Sequence, residues 1–219
     1  MAGQVGTSGP HTFLFTDLVG FTALAAARGD EHAADVALAF YARVRRLLAA
    51  HGADEVKTIG DALMLRTDEA CHGIELGIRI VDELAAVPGF PAVRVGIHSG
   101  PAVARGGDWY GTTVNVAARL CAAAGGGEVL VSEATHRSAG RLPTVAFGER
   151  RLHWLKNVTE PVAARVASRR PLGGWREQPV SALRRAGSGL LRRTFGGRTA
   201  QPSAGVPRSG RAGGMAAPC

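Results

Sequence analysis

Phe15-Thr16-Asp17-Leu18-Val19-Gly20-Phe21-Thr22 and, farther along, Lys57-Thr58-Ile59-Gly60-Asp61 are the stretches on which the reading of this chain turns. The apolar run from His11 to Thr16 reads as a buried strand that ends in Asp17, and Gly20-Phe21-Thr22 then opens a helix. Glu55–Ile59 and Ala62–Leu65 are two short apolar runs separated by Gly60-Asp61, which is hairpin chemistry. If that hairpin pairs beside the first strand, Asp17 and Asp61 project from one sheet edge. Two carboxylates suit Mg²⁺ or Mn²⁺, ions typically held by one or two carboxylates plus substrate phosphates. A helix starting near Gly20 would turn free backbone N–H groups toward such a phosphate. Taken singly, Asp17 reads as a cap and Gly60-Asp61 as a turn; the pair carries the interest.

Outward from this core, Phe21 to about Ala50 is helical with an interruption at Gly29-Asp30, and a second long helix covers residues 68–87. Val93–His98 is a strand, which Gly100-Pro101 is expected to turn back into Ala102–Arg105. A helix from Thr112 to Ala123 stops at Gly125-Gly126-Gly127. Glu128–Val131, Val145–Leu152 and Val162–Val166 finish as strands, with a short helix after Ser132. The alternation has no strict strand–helix–strand repeat, so the expected fold is an α+β sandwich, a mostly antiparallel sheet covered by helices.

The 219 residues are 46% hydrophobic and 20% charged, which excludes a wholly disordered chain and a coiled coil. Cys71, Cys121 and Cys219 cannot form a paired framework, so a reducing compartment is expected. The net charge of +8 divides unevenly: residues 169–219 carry ten arginines against the single acid Glu177, and the excess positive charge all sits there. That Gly/Pro/Arg-rich tail is expected to be disordered, as are residues 1–10, leaving 11–168 as the folded domain. Leu183, Leu190, Leu191 and Phe195 among the tail arginines allow a segment that contacts an anionic partner or membrane surface, though Gly187 and Gly189 oppose a helix. No leader and no stretch long enough to span a bilayer is seen, so a cytoplasmic protein with no transmembrane segment is expected. No domain is expected before His11. Zinc spacing and a Gly-x-x-x-x-Gly-Lys-Ser/Thr phosphate loop are both missing.

A third block joins the first two: Gly107-Asp108-Trp109-Tyr110-Gly111-Thr112-Thr113-Val114-Asn115-Val116-Ala117-Ala118-Arg119-Leu120. In this order and spacing the three blocks resemble the catalytic domain of class III nucleotide cyclases, over about residues 11–168, and the resemblance implies a ferredoxin-like or palm-type sandwich. Diguanylate cyclases share a palm-like core, but their Gly-Gly-Asp-Glu-Phe hairpin is missing here. By this resemblance Asp17 and Asp61 match the two metal-binding aspartates, for two Mg²⁺ or Mn²⁺ ions per site. Leu18 matches a position whose carbonyl helps hold the second ion. Gly20, Phe21 and Thr22 match the helix start beside the phosphates. Lys57 and Asp108 match the base readers, and a cation with a carboxylate suits adenine, which offers ring-nitrogen acceptors and an amino donor. Asn115 and Arg119 match the transition-state pair, and four residues apart on a helix they share a face.

The implied reaction is attack by the ribose 3′-oxygen of ATP on its own α-phosphorus, giving cyclic AMP and pyrophosphate. The family builds each site between two catalytic domains, so a homodimer with shared active sites is implied. Lys156, in Leu155-Lys156-Asn157-Val158, either grips the terminal phosphates or is a surface charge, and Val158 stands close to the same register. A catalytically silent nucleotide-binding module and a guanylate cyclase are the other readings this resemblance leaves open.

Overall fold

Phe13 and Leu14 are both fully buried although neighbouring strand residues point to opposite faces. The computed structural model, which describes residues 7–171, shows why: β1 (Thr7–Leu18) is an inner strand covered by helices on both sides. On one face Leu14 and Leu18 pack with Phe40 and Val44 of α2 (Asp30–Leu48) and with Ile74, Ile78 and Leu84 of α3 (Ala70–Ala85). On the other, Phe13 and Phe15 pack with Val114, Ala117 and Cys121 of α4 (Thr112–Ala123). In α2 the buried Ala33, Ala37, Phe40 and Val44 recur every three or four residues, the stripe a one-sided helix requires.

The hairpin expected from Gly60-Asp61 forms between β2 (Ala53–Ile59) and β3 (Ala62–Thr67), and β3 runs antiparallel to β1. On β1's other side lies β4 (Val93–Arg105), also antiparallel. Beyond it come β6 (Val129–Ser132), β9 (Val162–Arg169) and β7 (Val145–Phe147), with β8 (Arg151–His153) beside β7 on β9 and β5 (Asp108–Tyr110) on β4. The order is β2-β3-β1-β4-β6-β9-β7, and among these pairs only β4–β6 is parallel. The mostly antiparallel α+β sandwich is therefore what the chain adopts. The interruption at Gly29 separates α1 (Phe21–Arg28) from α2, and Ser132 caps α5 (Glu133–Ala139) by accepting the Thr135 amide at 3.2 Å.

Five local expectations change. Residues 7–10, assigned to a disordered leader, belong to β1, while residues 1–6 of that leader lie outside the described residues. Gly100-Pro101 does not turn the chain: β4 continues through it, and the register slips between Ser8 and His11 so that Gly9 and Pro10 oppose Pro101. Neither proline has an N–H to donate, and a bulge absorbs the mismatch. Val145–Leu152 is two strands, broken at Gly148, whose amide reaches Val166 O at 2.8 Å. β5 was not expected as a strand; Gly106 (φ 61°) and Gly107 (φ 79°) make the tight turn that folds it back on β4. At the other end β9 runs to Arg169, and the Arg170 amide donates to Thr144 O, so the domain extends past residue 168. The remainder of the tail, from residue 172, lies outside the described residues.

Candidate active site

Asp17 is the next-to-last residue of β1, on the same face as Phe13 and Phe15, with Ala62 opposite it on β3 and Arg94 opposite it on β4. Asp61 immediately precedes Ala62 in the hairpin turn, so the antiparallel register itself brings the two carboxylates to one edge. The Leu18 backbone lies near enough to the Asp61 carboxyl to favour its charged form, while the Leu18 side chain is buried in the core. Burial, and then the nearby Asp17 charge, push the Asp61 carboxyl above the usual carboxylate value, against the pull of Arg94 and backbone amides. Arg94 closes the group: its Nε and Nη2 both donate to Asp17 Oδ2, at 2.7 and 2.5 Å. Cys121 lies beside these charges, but burial pushes its thiol up to about 12, so the sulfur is neutral.

The hairpin is clamped from α2. The Tyr41 hydroxyl donates to the Gly60 carbonyl, and Arg45 makes a two-pronged contact with Glu55 at 2.7 and 2.8 Å. On the other side of Asp17, Gly20 sits at φ 78°, a left-handed conformation that a side chain resists, and this turns the chain sharply into α1. No side chain caps α1 and no acid occupies its first turn, so the amides at Phe21 and Thr22 are open to an anion. Phe21 is half-buried against the core and Thr22 is exposed.

A second grouping joins Lys57 of β2 to Asp108 of β5, Nζ to Oδ2, at 2.5 Å. The hydrogen bond from Lys57 holds the Asp108 carboxyl below its usual value, and the Trp109 amide donates to Oδ1 at 2.8 Å. Trp109 fixes this arm: its ring lies 4.6 Å from that of His11 and 5.5 Å from that of Phe13, and the Arg66 guanidinium sits 5.2 Å from its centre. Arg66 is itself tied to Asp54 and Asp68, each at 2.6 Å.

Asn115 and Arg119 share the solvent face of α4, as their spacing requires, because Val114, Ala117 and Cys121 face the sheet and Val116 and Leu120 pack on Leu130, Leu155 and Ala164. Among the described residues no hydrogen bond or ion pair joins either side chain to the carboxylates or to Lys57 and Asp108. Lys156 stands exposed in the turn after β8, next to Asn157 at φ 63°, whereas Val158 packs inward beside Leu155. Within one chain Lys156 makes no hydrogen bond or ion pair among the described residues.

Arg94, Tyr41 and Trp109 escaped the sequence reading. Arg94 becomes visible only through the register that sets it opposite Asp17. His98 is tied into the core: burial lowers it to about 4, and its Nδ1 meets Ser132 Oγ at 2.8 Å.

The donor set can be tested against the expected ions. Among the described residues no group of three or more His, Cys, Asp or Glu comes together, which does not suit zinc. Two carboxylates on one edge beside an uncapped helix start fit Mg²⁺ or Mn²⁺, which complete their shells with water and phosphate oxygens.

Comparison with known proteins agrees with this architecture. The profile of the adenylate and guanylate cyclase catalytic domain matches residues 4–153, a span holding every candidate residue except Lys156. A pH-sensitive adenylate cyclase of Mycobacterium tuberculosis is 37% identical over 132 residues, 60% of this chain and 33% of that protein. An adenylate cyclase of Streptomyces coelicolor is 39% identical over 120 residues, 55% of this chain and 32% of that protein. The chain thus spans about a third of the length of these relatives. The adenylyl cyclase CyaB of P. aeruginosa superposes with a TM-score of 0.66 at 21% identity, over 78% of this chain and all of that one, which speaks for the fold. Among the described residues no helix is long and apolar enough to cross a membrane. Since the profile takes in more than half of the residues and the strand order is that of a palm-type sandwich, this chain belongs to the adenylate and guanylate cyclase catalytic-domain family.

Proposed function

We propose that this domain is an adenylate cyclase that converts ATP to 3′,5′-cyclic AMP and pyrophosphate at sites shared by two copies of the chain. The observation that carries the reading is the Lys57–Asp108 pair. Adenine presents a ring-nitrogen acceptor next to an amino donor; the ammonium of Lys57 donates to the first and the carboxylate of Asp108 accepts from the second. Guanine reverses the polarity of that edge and leaves both groups facing like partners, an unmade hydrogen bond costing about 1–3 kcal/mol. The relatives named as adenylate cyclases support the same substrate.

Asp17 and Asp61, with the Leu18 carbonyl, would hold two Mg²⁺ or Mn²⁺ ions. When bound, these supply activation of the ribose 3′-hydroxyl and neutralisation of the pyrophosphate leaving group. The chain's own work is placement. The open amides of Phe21 and Thr22 behind Gly20 receive phosphate oxygens. Lys57 and Asp108 fix the base, Asn115 orients the ribose, and Arg119 meets the charge that develops on the α-phosphate, where one preorganised donor is worth about 3–4 kcal/mol. Lys156, exposed and without an ion pair or hydrogen bond among the described residues, is available to the terminal phosphates.

Asn115 and Arg119 lie on a solvent-facing helix surface and make no hydrogen bond or ion pair with Asp17 or Asp61, which suits their use by a second copy. The proposal is a head-to-tail homodimer with two such sites. Incubating the purified protein with Mn²⁺ and either ATP or GTP, with products identified by mass, tests the reading. Cyclic AMP from ATP is the expected product; cyclic GMP in preference, or no cyclic nucleotide from a folded dimer, overturns it.

A further inference from the structure

β5, the arm that presents Asp108, is three residues long, and its strand partner is β4. It lies between Gly106-Gly107 and Gly111, all at positive φ (61°, 79° and 136°), so its backbone is hinged at both ends. Tyr110 is exposed, and the arm's packing on the core rests on Trp109. The indole meets the rings of His11 and Phe13 at steep angles, and the Arg66 guanidinium lies over its face, 5.2 Å from the centre. Arg66 stands opposite Phe13 of β1 on one side and Asp54 of β2 on the other. There its guanidinium is pinned, Nη2 donating to Asp54 Oδ2 and Nη1 to Asp68 Oδ1, both at 2.6 Å. The Arg66 side chain is 17% exposed, against 65% and 67% for the two aspartates. Ion pairs with such exposed carboxylates add little stability of their own. Here they orient a planar, weakly hydrated cation against an indole face, where the ring quadrupole attracts it. The chain of contacts reaches the base reader, because the Trp109 amide donates to Asp108 Oδ1 at 2.8 Å.

Resting on the cyclase reading, we propose that Arg66 is a positioning residue: by holding Trp109 it keeps the Asp108 carboxylate beside Lys57, and so sets the affinity for ATP and its preference over GTP without touching the nucleotide. Asp54, Arg66, Trp109 and Asp108 form a continuous series, each in contact with the next. With the indole released, the arm swings on its glycines and Asp108 meets adenine's amino group only part of the time. Asn115 and Arg119 stand on α4, outside this series, so the chemical step on bound ATP is not altered.

The test uses the full-length chain with Arg66→Met, which keeps an unbranched stem and removes the charge, and with Trp109→Leu, which fills space but offers no ring, alone and together. With Mn²⁺ and ATP, Arg66→Met should raise KM about tenfold and leave kcat within about twofold. The ratio of kcat/KM for ATP over GTP should fall by about the same tenfold, because guanine makes no use of the Asp108 acceptor. Trp109→Leu should do at least as much. Adding Arg66→Met to it should change KM by less than about twofold, since a residue that acts through Trp109 then has nothing to act on. An unchanged KM and base ratio in Arg66→Met overturn the proposal, even if the melting temperature falls, and so do effects that multiply in the double variant. Amide hydrogen exchange, read by mass on peptides covering residues 103–111, needs no turnover: it should be about tenfold faster there in Arg66→Met and unaltered in β6 and β9. If the unaltered protein forms no cyclic nucleotide, the cyclase reading fails, and exchange alone decides whether Arg66 holds the arm; no acceleration overturns it. Should Arg66→Met not fold, Arg66→Lys takes its place, keeping the charge without the planar fork. A rise in KM of about threefold with faster exchange at 103–111 is then expected, and no change in either overturns the proposal.

Discussion

Lys57 and Asp108 come from strands at different parts of the sheet, β2 and β5, yet meet as a 2.5 Å ion pair on the same side of the molecule. The pairing depends on β5 folding back over β4 through Gly106-Gly107 and on Trp109 settling between His11, Phe13 and Arg66. On the proposed reading, base choice is thus linked to how one short strand is anchored.

Reversing that pair should reverse the base. Lys57→Glu combined with Asp108→Ser offers acceptors and a small hydroxyl where adenine needs a donor and an acceptor. With about 1–3 kcal/mol riding on each base contact, the ratio of kcat/KM for ATP over GTP should fall by about 100-fold. Steady-state rates with both nucleotides check this; an unchanged ratio refutes the assignment of the base readers.

Complementation addresses the shared sites. Asp17→Ala and Arg119→Ala proteins should each be inactive, by about a hundredfold or more. Mixed, they should recover part of the activity, because a heterodimer has one site untouched by either change. The readout is cyclic AMP formed against mixing ratio, with dimers confirmed by analytical ultracentrifugation. Heterodimers that form without recovering activity contradict the head-to-tail arrangement.

Asp61 should cost the metal-free protein stability at neutral pH. Its carboxyl is raised in the folded state, chiefly by burial and then by Asp17. A group raised in this way favours folding below its unfolded value, and that contribution is lost as pH rises through the folded value. Asp61→Asn removes the charge, so its melting temperature should exceed that of the unaltered protein by on the order of 1 °C at pH 7. The gap should shrink as pH falls through the carboxylate range. Thermal melts in chelator across pH 3.5–7.5 test the slope, and a gap independent of pH contradicts it.

Gly96 should tolerate no side chain. An added Cβ would meet the Cys121 nitrogen at 2.0 Å and the Ala117 oxygen at 2.6 Å, both backbone atoms that no rotamer change can move. Gly96→Ala should therefore destabilise the domain by about 3 kcal/mol and displace α4, which carries Asn115 and Arg119. Urea unfolding measures the first effect. A loss below about 1 kcal/mol would show that α4 is free to slide.

Much of this was legible along the chain. The apolar run into Asp17, the turn pair Gly60-Asp61 and the stripe of α2 are local patterns, and the backbone follows them because side-chain alternation and helical spacing act over a few residues. The shared face of Asn115 and Arg119 follows from helix pitch alone. By contrast, Arg94 faces Asp17 across 77 residues, and only the β1–β4 register sets them opposite each other. The run through Gly100-Pro101 was misread as a turn for the same reason: the two prolines are tolerated because a bulge in the neighbouring strand matches them, and no window on one strand contains the other.

Residue order alone thus settled the Gly60-Asp61 hairpin turn, the helix start after Gly20 and the shared face of Asn115 and Arg119, because each rests on contacts within a turn or two. Pairing across the sheet settled the rest: the arginine laid on Asp17, the arm that carries Asp108 to Lys57, and the close seat of α4 on Gly96. Those contacts join segments distant along the chain, and they exist only once burial of the two cores has selected one register among many.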